Sequence, residues 1–383
     1  MARIGIDASI LLHGERAGLR HTRNLLQQLL RLYADDEWKL FYFDRKGNTP
    51  GRITLSSDVR GQEIVSRIPR RLLVTPWRML GYPAVEDWLG PIDVFYAPDL
   101  YFPPTRRAPV LCTVRGIAYL AVPHLLEPFI VRRLGKAFAY ARKRAQHFLA
   151  VSESTRQDLM RLTDLRPDRI HVVTHGVDPA FRRLDRNSCR QLIMRRFGIR
   201  RPFLLYVGVI GRHKNVMGLL RAFSAADVQR QGIDLVLAGP FEPECERARS
   251  FIVRSGLERA VHLTGPVDQG SDVLVELYNA AMALVHPSFY EGWCATPLEA
   301  MACGTPVVAS DIPSVREVLE DAAVLVSPDD IDAWKVAILR ITEDETYRTD
   351  LAERGPKHAS QHTWERAAQR LRKVLDYVQG ADK

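Results

Sequence analysis

The chain has 383 residues, of which 46% are apolar and 26% charged. This length exceeds what one hydrophobic core usually supports, and the balance excludes a disordered chain, so two folded domains are expected. The formal charge of +9 is unevenly spread: residues 1–200 hold 34 Lys and Arg against 19 Asp and Glu, a surplus of +15, and the remainder holds 20 against 26, a balance of −6.

The five cysteines, Cys112, Cys189, Cys245, Cys294 and Cys303, are widely spaced and form no C-x-x-C or Cys/His pattern. This excludes a disulfide scaffold or zinc ribbon and suits a reducing cytoplasm. No signal-type segment precedes Ile4, and no apolar run reaches the roughly 18 residues that a membrane span needs. Basic clusters recur at Arg67, Arg70 and Arg71, at Arg132, Arg133 and Lys136, and at Arg142, Lys143 and Arg144. They give the front half a positive face suited to an anionic membrane surface or a phosphate-bearing acceptor. No zinc-finger spacing, aromatic RNA-binding signature or basic zipper accompanies the charge, so nucleic acid is the weakest partner. The expected location is the cytoplasm, with peripheral contact to the inner face of a membrane.

In chain order, short β-branched runs alternate with amphipathic stretches, the pattern of parallel strands joined by crossover helices, and the pattern occurs twice. ARIGIDASI reads as a strand, followed by a loop containing Gly14 and Gly18 and a helix in LRHTRNLLQQLLRLYA. Strands follow at WKLFYF, DVFYAP and PVLCTV, then a basic helix from about Glu127 to Ala145 and a strand at HFLAVS. RIHVVTHGVD gives a short strand ended by a glycine turn, and Phe181 to Arg201 is rich in Arg and lacks a strand, which places the interdomain connection there. RPFLLYVGVI opens the second copy, its apolar continuity indicating burial on both sheet faces. Strands at IDLVLAG, AVHLTG, MALVHPS and TPVVAS follow, and TWERAAQRLRKVLDYV is a terminal helix. The expected division is 1–183, 184–361, and a last helix over 362–383 that packs back on the first domain.

The densest chemical information lies in HPSFYEGWCATPLEAMACGTPVVAS. A strand ends at Pro287, a loop passes Gly292, and a helix begins near Pro297, with Thr296 a plausible N-cap and Glu299 three residues beyond it. A helix N-terminus stabilises anions, and a diphosphate is a natural one. Glu291 and Glu299, with seven residues between them, can both face one ligand and accept hydrogen bonds from a sugar or ribose diol. From spacing alone, a capping box at Glu299 and a solvated Glu291 account for the pattern equally well.

This segment resembles the signature of the retaining family 4 glycosyltransferases, in which a Glu, seven residues and a second Glu precede a small-residue helix and a G-T-P-V-V strand. The resemblance extends over nearly the whole chain, through GIDASIL, AVSESTRQDL, VVTHGVD, LLYVGVIGRHKN and LAGP, and is nearest to the subgroup of bacterial O-antigen mannosyltransferases. It implies an α/β GT-B fold of two Rossmann-like domains facing a central cleft. The C-terminal domain would bind the nucleotide sugar, with Glu299 on the ribose hydroxyls, Glu291 on the donor sugar ring, and Gly292, Trp293, Cys294, Leu298 and Gly239 around the donor. An Arg-Lys pair in the family neutralises the departing diphosphate. Lys214 fits the Lys position, His213 stands at the Arg position, and Arg212, one residue earlier, can substitute.

Three departures concern the acceptor side and the donor loop. TVRGIAYL puts Arg115 and Gly116 where the family has His and Asp, and a guanidinium can hold a phosphate or carboxylate but cannot act as a base near neutral pH. AGLRH keeps Gly18 and Arg20 of the family's N-terminal loop but has Leu19 where a second Gly is usual. GWCAT replaces a loop Gly by Cys294. His13, His175 and His286 read as structural histidines. The implied activity is metal-free, cofactor-free transfer of a hexose, mannose by the nearest subgroup, from a nucleoside diphosphate sugar to a glycan or glycolipid hydroxyl in cell-surface polysaccharide synthesis. A noncatalytic nucleotide-sugar-binding scaffold, and a sugar-nucleotide epimerase of the same fold, are the rival readings.

Overall fold

A computed structural model describes residues 1–12, 17–47, 49–242, 244–267 and 272–381. The side chains of Ala17, Gly18 and Ala381 are left out of the description, and Gly14 and His13 lie outside it. The chain divides into two compact units, one of residues 1–121, 128–176 and 363–383, the other of residues 122–127 and 177–362. The chain therefore passes into the second unit at Val177, ahead of the Arg-rich stretch from Phe181, which is a helix over Arg186–Phe197 packed within that unit.

The first unit is built on a parallel sheet of seven strands among the described residues: β1 (Arg3–Asp7), β2 (Glu37–Phe43), β3 (Gly61–Ser66), β4 (Val94–Ala97), β5 (Val110–Val114), β6 (His147–Ala150) and β7 (Ile170–Val172). Their order is β3-β2-β1-β4-β5-β6-β7. β3 was not legible as a strand, because GQEIVS is polar and sits at the sheet edge with its first residues exposed. Helix α1 (Ala17–Leu32) covers one face, with Leu25, Leu26 and Leu29 buried against Ile4, Ile6, Leu40 and Tyr96. Gly18 and Arg20 lie in its first turn and not in a preceding loop. The basic helix α2 (Pro128–Arg144) follows β5, and Ala137, Phe138 and Ala141 form its buried stripe.

The second unit has six parallel strands among the described residues: β8 (Phe203–Val207), β9 (Asp234–Ala238), β10 (Val261–Gly265), β11 (Ala283–His286), β12 (Val307–Ser310) and β13 (Val324–Val326), ordered β10-β9-β8-β11-β12-β13. Successive side chains of a strand point to opposite faces, and both faces are covered here. Leu204, Tyr206, Leu235 and Leu237 join one core cluster with α3 (Val216–Ala226). Phe203, Leu205, Val207 and Val236 join the other, with α4 (Asp272–Ala280) and α5 (Ala295–Ala302). That double burial is why RPFLLYVGVI has no polar alternation.

The last helix, α6 (Trp364–Ala381), belongs to the first unit. Its Leu371, Leu375 and Val378 are fully buried in the cluster that holds α1. Arg372 donates its Nε–H to Asp36 at 2.9 Å, fixing the helix register.

Candidate functional site

In an open parallel sheet, ligands settle beyond the carboxyl ends of strands where the strand order reverses. In the second unit this point lies between β8 and β11, which pair through Ala283 with Leu204 and Leu284 with Leu205. The two loops that leave these strands carry Lys214 and Glu291.

After β8, Arg212–Lys214 form a 3-10 turn, and Asn215 follows in the left-handed conformation at φ 54°. Asn tolerates that conformation because its side chain bonds locally. Here Oδ1 accepts from the Gly218 N–H at 3.2 Å and Nδ2 donates to the Pro328 carbonyl at 2.8 Å. The anchored turn sends Lys214 Nζ to Glu291 Oε1 at 2.6 Å. His286 Nε2 reaches the same oxygen at 2.8 Å and the Ser288 hydroxyl donates to it at 2.7 Å. A carboxylate can only accept, so His286 carries its proton on Nε2 in this bond. Nδ1 of His286 stands 3.5 Å from Thr296 Oγ1. The two loops are tied a second time by the Phe289 N–H, which donates to the His213 carbonyl at 2.9 Å.

The Glu291 side chain is 10% exposed and that of Lys214 is 18% exposed. Burial pushes the Glu291 carboxyl up, but Lys214 and the His286 hydrogen bond outweigh it and hold the group well below the usual carboxylate range. Glu291 is therefore a fixed anion at neutral pH. His213 is held neutral: burial, aided by Lys214, lowers it to about 4. Its buried Nδ1 has no hydrogen-bond partner among the described residues.

Glu299 lies one turn into α5 and accepts the Tyr278 hydroxyl at 3.0 Å. Tyr278, on α4, is fully buried, and its carbonyl accepts from Thr305 Oγ1 at 2.6 Å. Thr296 is not the N-cap of this helix. Cys294 already holds the N-cap position, at φ −91° and ψ 67°, so Thr296 and Pro297 lie inside the first turn. Cys294 gives no side-chain cap, and the N–H groups of that turn are left to other acceptors.

The other residues expected around the donor are small, half-buried or buried. Cys294 and Leu298 are each 1% exposed with side chains in the core, and burial raises the Cys294 thiol, which removes nucleophile chemistry. Gly239 follows β9 at φ +154°, and a Cβ there would stand 1.9 Å from the Gly208 carbonyl oxygen, so glycine is required where the β8 and β9 loops meet. Gly292 and Trp293 are half-buried in the loop between Glu291 and α5, the Trp293 ring edge-on to His362 at 5.8 Å. Arg212 is exposed and is not part of the Lys214–Glu291 cluster. It lines a cavity of about 730 Å³ with Arg221, Arg247, Phe251 and Phe289.

In the first unit, Arg115 follows β5 and donates through Nη2 to Thr22 Oγ1 at 2.8 Å and to the Pro98 carbonyl at 3.3 Å. Gly116 has φ +152°. The sequence reading missed Tyr278 and Ser288 and took His286 as structural. His286 and Ser288 stand five and three residues before Glu291 in the same segment, whereas Tyr278 had no such signal.

Comparison with known proteins agrees with this architecture. A model of group 1 glycosyl transferases matches residues 190–358, and a model of glycosyltransferase family 4 matches residues 19–181. Sucrose-phosphate synthase from Thermosynechococcus elongatus superposes with a TM-score of 0.74 at 20% identity, covering the whole of both chains. Anabaena HepE, solved with UDP-glucose, superposes at 0.70 with 17% identity over 98% of this chain and all of that one. Two parallel sheets of this kind define the GT-B fold. O-antigen chain mannosyltransferase B of Escherichia coli is 27% identical over 90% of this chain and 92% of its own length. With both halves matched, this chain belongs to glycosyltransferase family 4. Among the described residues, no helix is long and apolar enough to cross a membrane.

Proposed function

We propose that this glycosyltransferase moves a hexose, mannose in the first instance, from a nucleoside diphosphate sugar to a hydroxyl of a growing glycan or glycolipid, with retention at the anomeric carbon and without a metal. The observation that carries the reading is the Lys214–Glu291 pair, fixed by His286 and Ser288 at the strand-order reversal, with Glu299 and the start of α5 beside it. Support for mannose comes from the name of the Escherichia coli relative, and support for a nucleotide-sugar donor from the UDP-glucose bound by HepE.

In this reading the diphosphate lies against Lys214 and the first-turn N–H groups of α5, with Arg212 as an outer cation. These groups oppose the negative charge that grows on the leaving phosphate as the glycosidic bond breaks, so they favour the transition state over the ground state. Glu299 accepts the ribose hydroxyls, its orientation held by Tyr278. Glu291, kept ionised, accepts hydrogen bonds from the sugar ring and is unsuited to act as a general acid. The acceptor hydroxyl attacks the face from which the diphosphate departs, and a leaving phosphate oxygen takes its proton. No side-chain base is needed, and Arg115 would not supply one. The first unit presents the acceptor near Gly18, Arg20 and Arg115, and its basic helices suit an anionic membrane surface.

The test is a thermal-shift panel of GDP-, UDP-, ADP- and dTDP-sugars, followed by transfer to a mannosylated acceptor with the new linkage assigned by NMR. A ligand that binds only the folded state raises the melting temperature. Stabilisation by one sugar nucleotide and an α-linked product from an α-linked donor are expected. No response to any member of the panel, or an inverted product, overturns the reading.

A further inference from the structure

The acceptor side of the first unit contains a cavity of about 730 Å³ bounded by Arg70, Arg115, Arg133, Asp99, Tyr101 and Leu19. Three arginines and one aspartate are among the residues that line it. Arg115 forms the inner wall. Its two hydrogen-bond acceptors, Thr22 Oγ1 and the Pro98 carbonyl, are both neutral, and both are reached through Nη2. Among the described residues no carboxylate lies within ion-pair distance of it, and the carboxylate that most favours its charged form is Asp99, which is exposed. Arg70 donates to the Tyr101 carbonyl and faces the buried Asp7. Arg133 is exposed on the first half of α2 and closes the opposite wall.

A half-buried guanidinium whose hydrogen-bond acceptors are both neutral keeps donors for an anionic ligand. Guanidinium forks match the oxygens of a phosphate in pairs, and three arginines lining one cavity exceed what a neutral sugar hydroxyl would require.

We infer that this cavity binds a phosphate group carried by the acceptor, so that the enzyme selects phosphorylated acceptors over neutral ones. The inference rests on reading the first unit as the acceptor side. It assigns Arg115, which stands where the family has His, to acceptor recognition, with Gly116 next to it in place of the family's carboxylate.

The test is isothermal titration of the full chain, with its donor site saturated by the nucleoside diphosphate that the thermal-shift panel selects, against inorganic phosphate, mannose 6-phosphate, mannose and glucuronate. Expected is binding of mannose 6-phosphate and of phosphate, no detectable binding of mannose, and weaker binding of glucuronate. R115Q and R133Q should each weaken mannose 6-phosphate by roughly tenfold or more while leaving nucleotide affinity unchanged. R133Q changes an exposed residue, so loss of folding cannot account for its result. Mannose binding as tightly as its phosphate, glucuronate binding in preference to phosphate, or phosphate binding that survives both substitutions overturns the inference. If nucleotide binds normally while no phosphate does, the cavity assignment fails and the glycosyltransferase reading stands. If no nucleotide binds at all, the donor-site reading itself has failed.

Discussion

Replacing Lys214 with Met tests the centre of the site, because Met keeps the aliphatic stem and deletes only the ammonium. Removing one partner of a buried ion pair costs about 3–5 kcal/mol when the other charge is stranded. Glu291 would keep His286 at 2.8 Å and Ser288 at 2.7 Å, and its side chain is 10% exposed, so part of the charge stays compensated. The expected loss for K214M at neutral pH is therefore about 2–3 kcal/mol. The pH dependence identifies the cause. Glu291 has a folded-state pKa below its ordinary value of 4.5, so its contribution is complete above about that pH and is lost as pH falls through the folded value. In K214M the burial cost dominates and the carboxyl moves up, so the gap between variant and parent is widest at pH 7 and narrows in acid. Urea unfolding of both proteins at pH 7 and pH 3.5 measures this directly. The double variant K214M/E291Q should recover at least half of the loss, because no buried charge is left stranded. A loss of the same size at both pH values, or no recovery in the double variant, would refute the ion-pair argument and attribute the effect to packing.

The same substitution should lower kcat by roughly 100-fold or more with a smaller change in donor KM, since the cation acts on charge formed in the transition state. E299Q should weaken nucleotide binding by about tenfold and Y278F by only a few-fold, both read by titration calorimetry, because Tyr278 orients the carboxylate without replacing it. G239A should cost more than about 2 kcal/mol in urea unfolding, since an added Cβ collides with the Gly208 carbonyl at a positive φ. Transfer measured after treatment with EDTA should stay within roughly twofold of the untreated rate if, as proposed, the side-chain cation and helix N-terminus take the place of a metal at the diphosphate.

The fold was legible wherever the sequence had to satisfy burial on both sheet faces. Phe203–Val207 and Val307–Ser310 could belong to little other than interior parallel strands. Edge strand β3 escaped notice because a half-exposed strand does not need an apolar run. Lys214, Glu291 and Glu299 stood out through the family resemblance rather than through spacing, but Tyr278 did not. Tyr278 sits 21 residues before Glu299 on another helix, and only the packing of α4 against α5 brings its hydroxyl to the carboxylate. Thr296 is not the N-cap for a local reason: the motif S/T-x-x-E requires the chain to be extended at Thr296, and the helix had already begun at Ala295. Arg212 matched a motif by proximity in sequence, yet a 3-10 turn rotates adjacent side chains by about 120°, so Lys214 and Arg212 leave it in different directions.

The second unit opens and closes at one place, where the Val177 N–H donates to the His362 carbonyl at 2.9 Å. Apart from the short piece Val122–Glu127, it is a single uninterrupted stretch of chain whose two ends are hydrogen-bonded neighbours. Such a segment is topologically an insert, which makes residues 177–362 a natural cassette for exchange between relatives, carrying the whole Lys214–Glu291–Glu299 apparatus with it and leaving the sheet beneath α1 and α6 covalently intact.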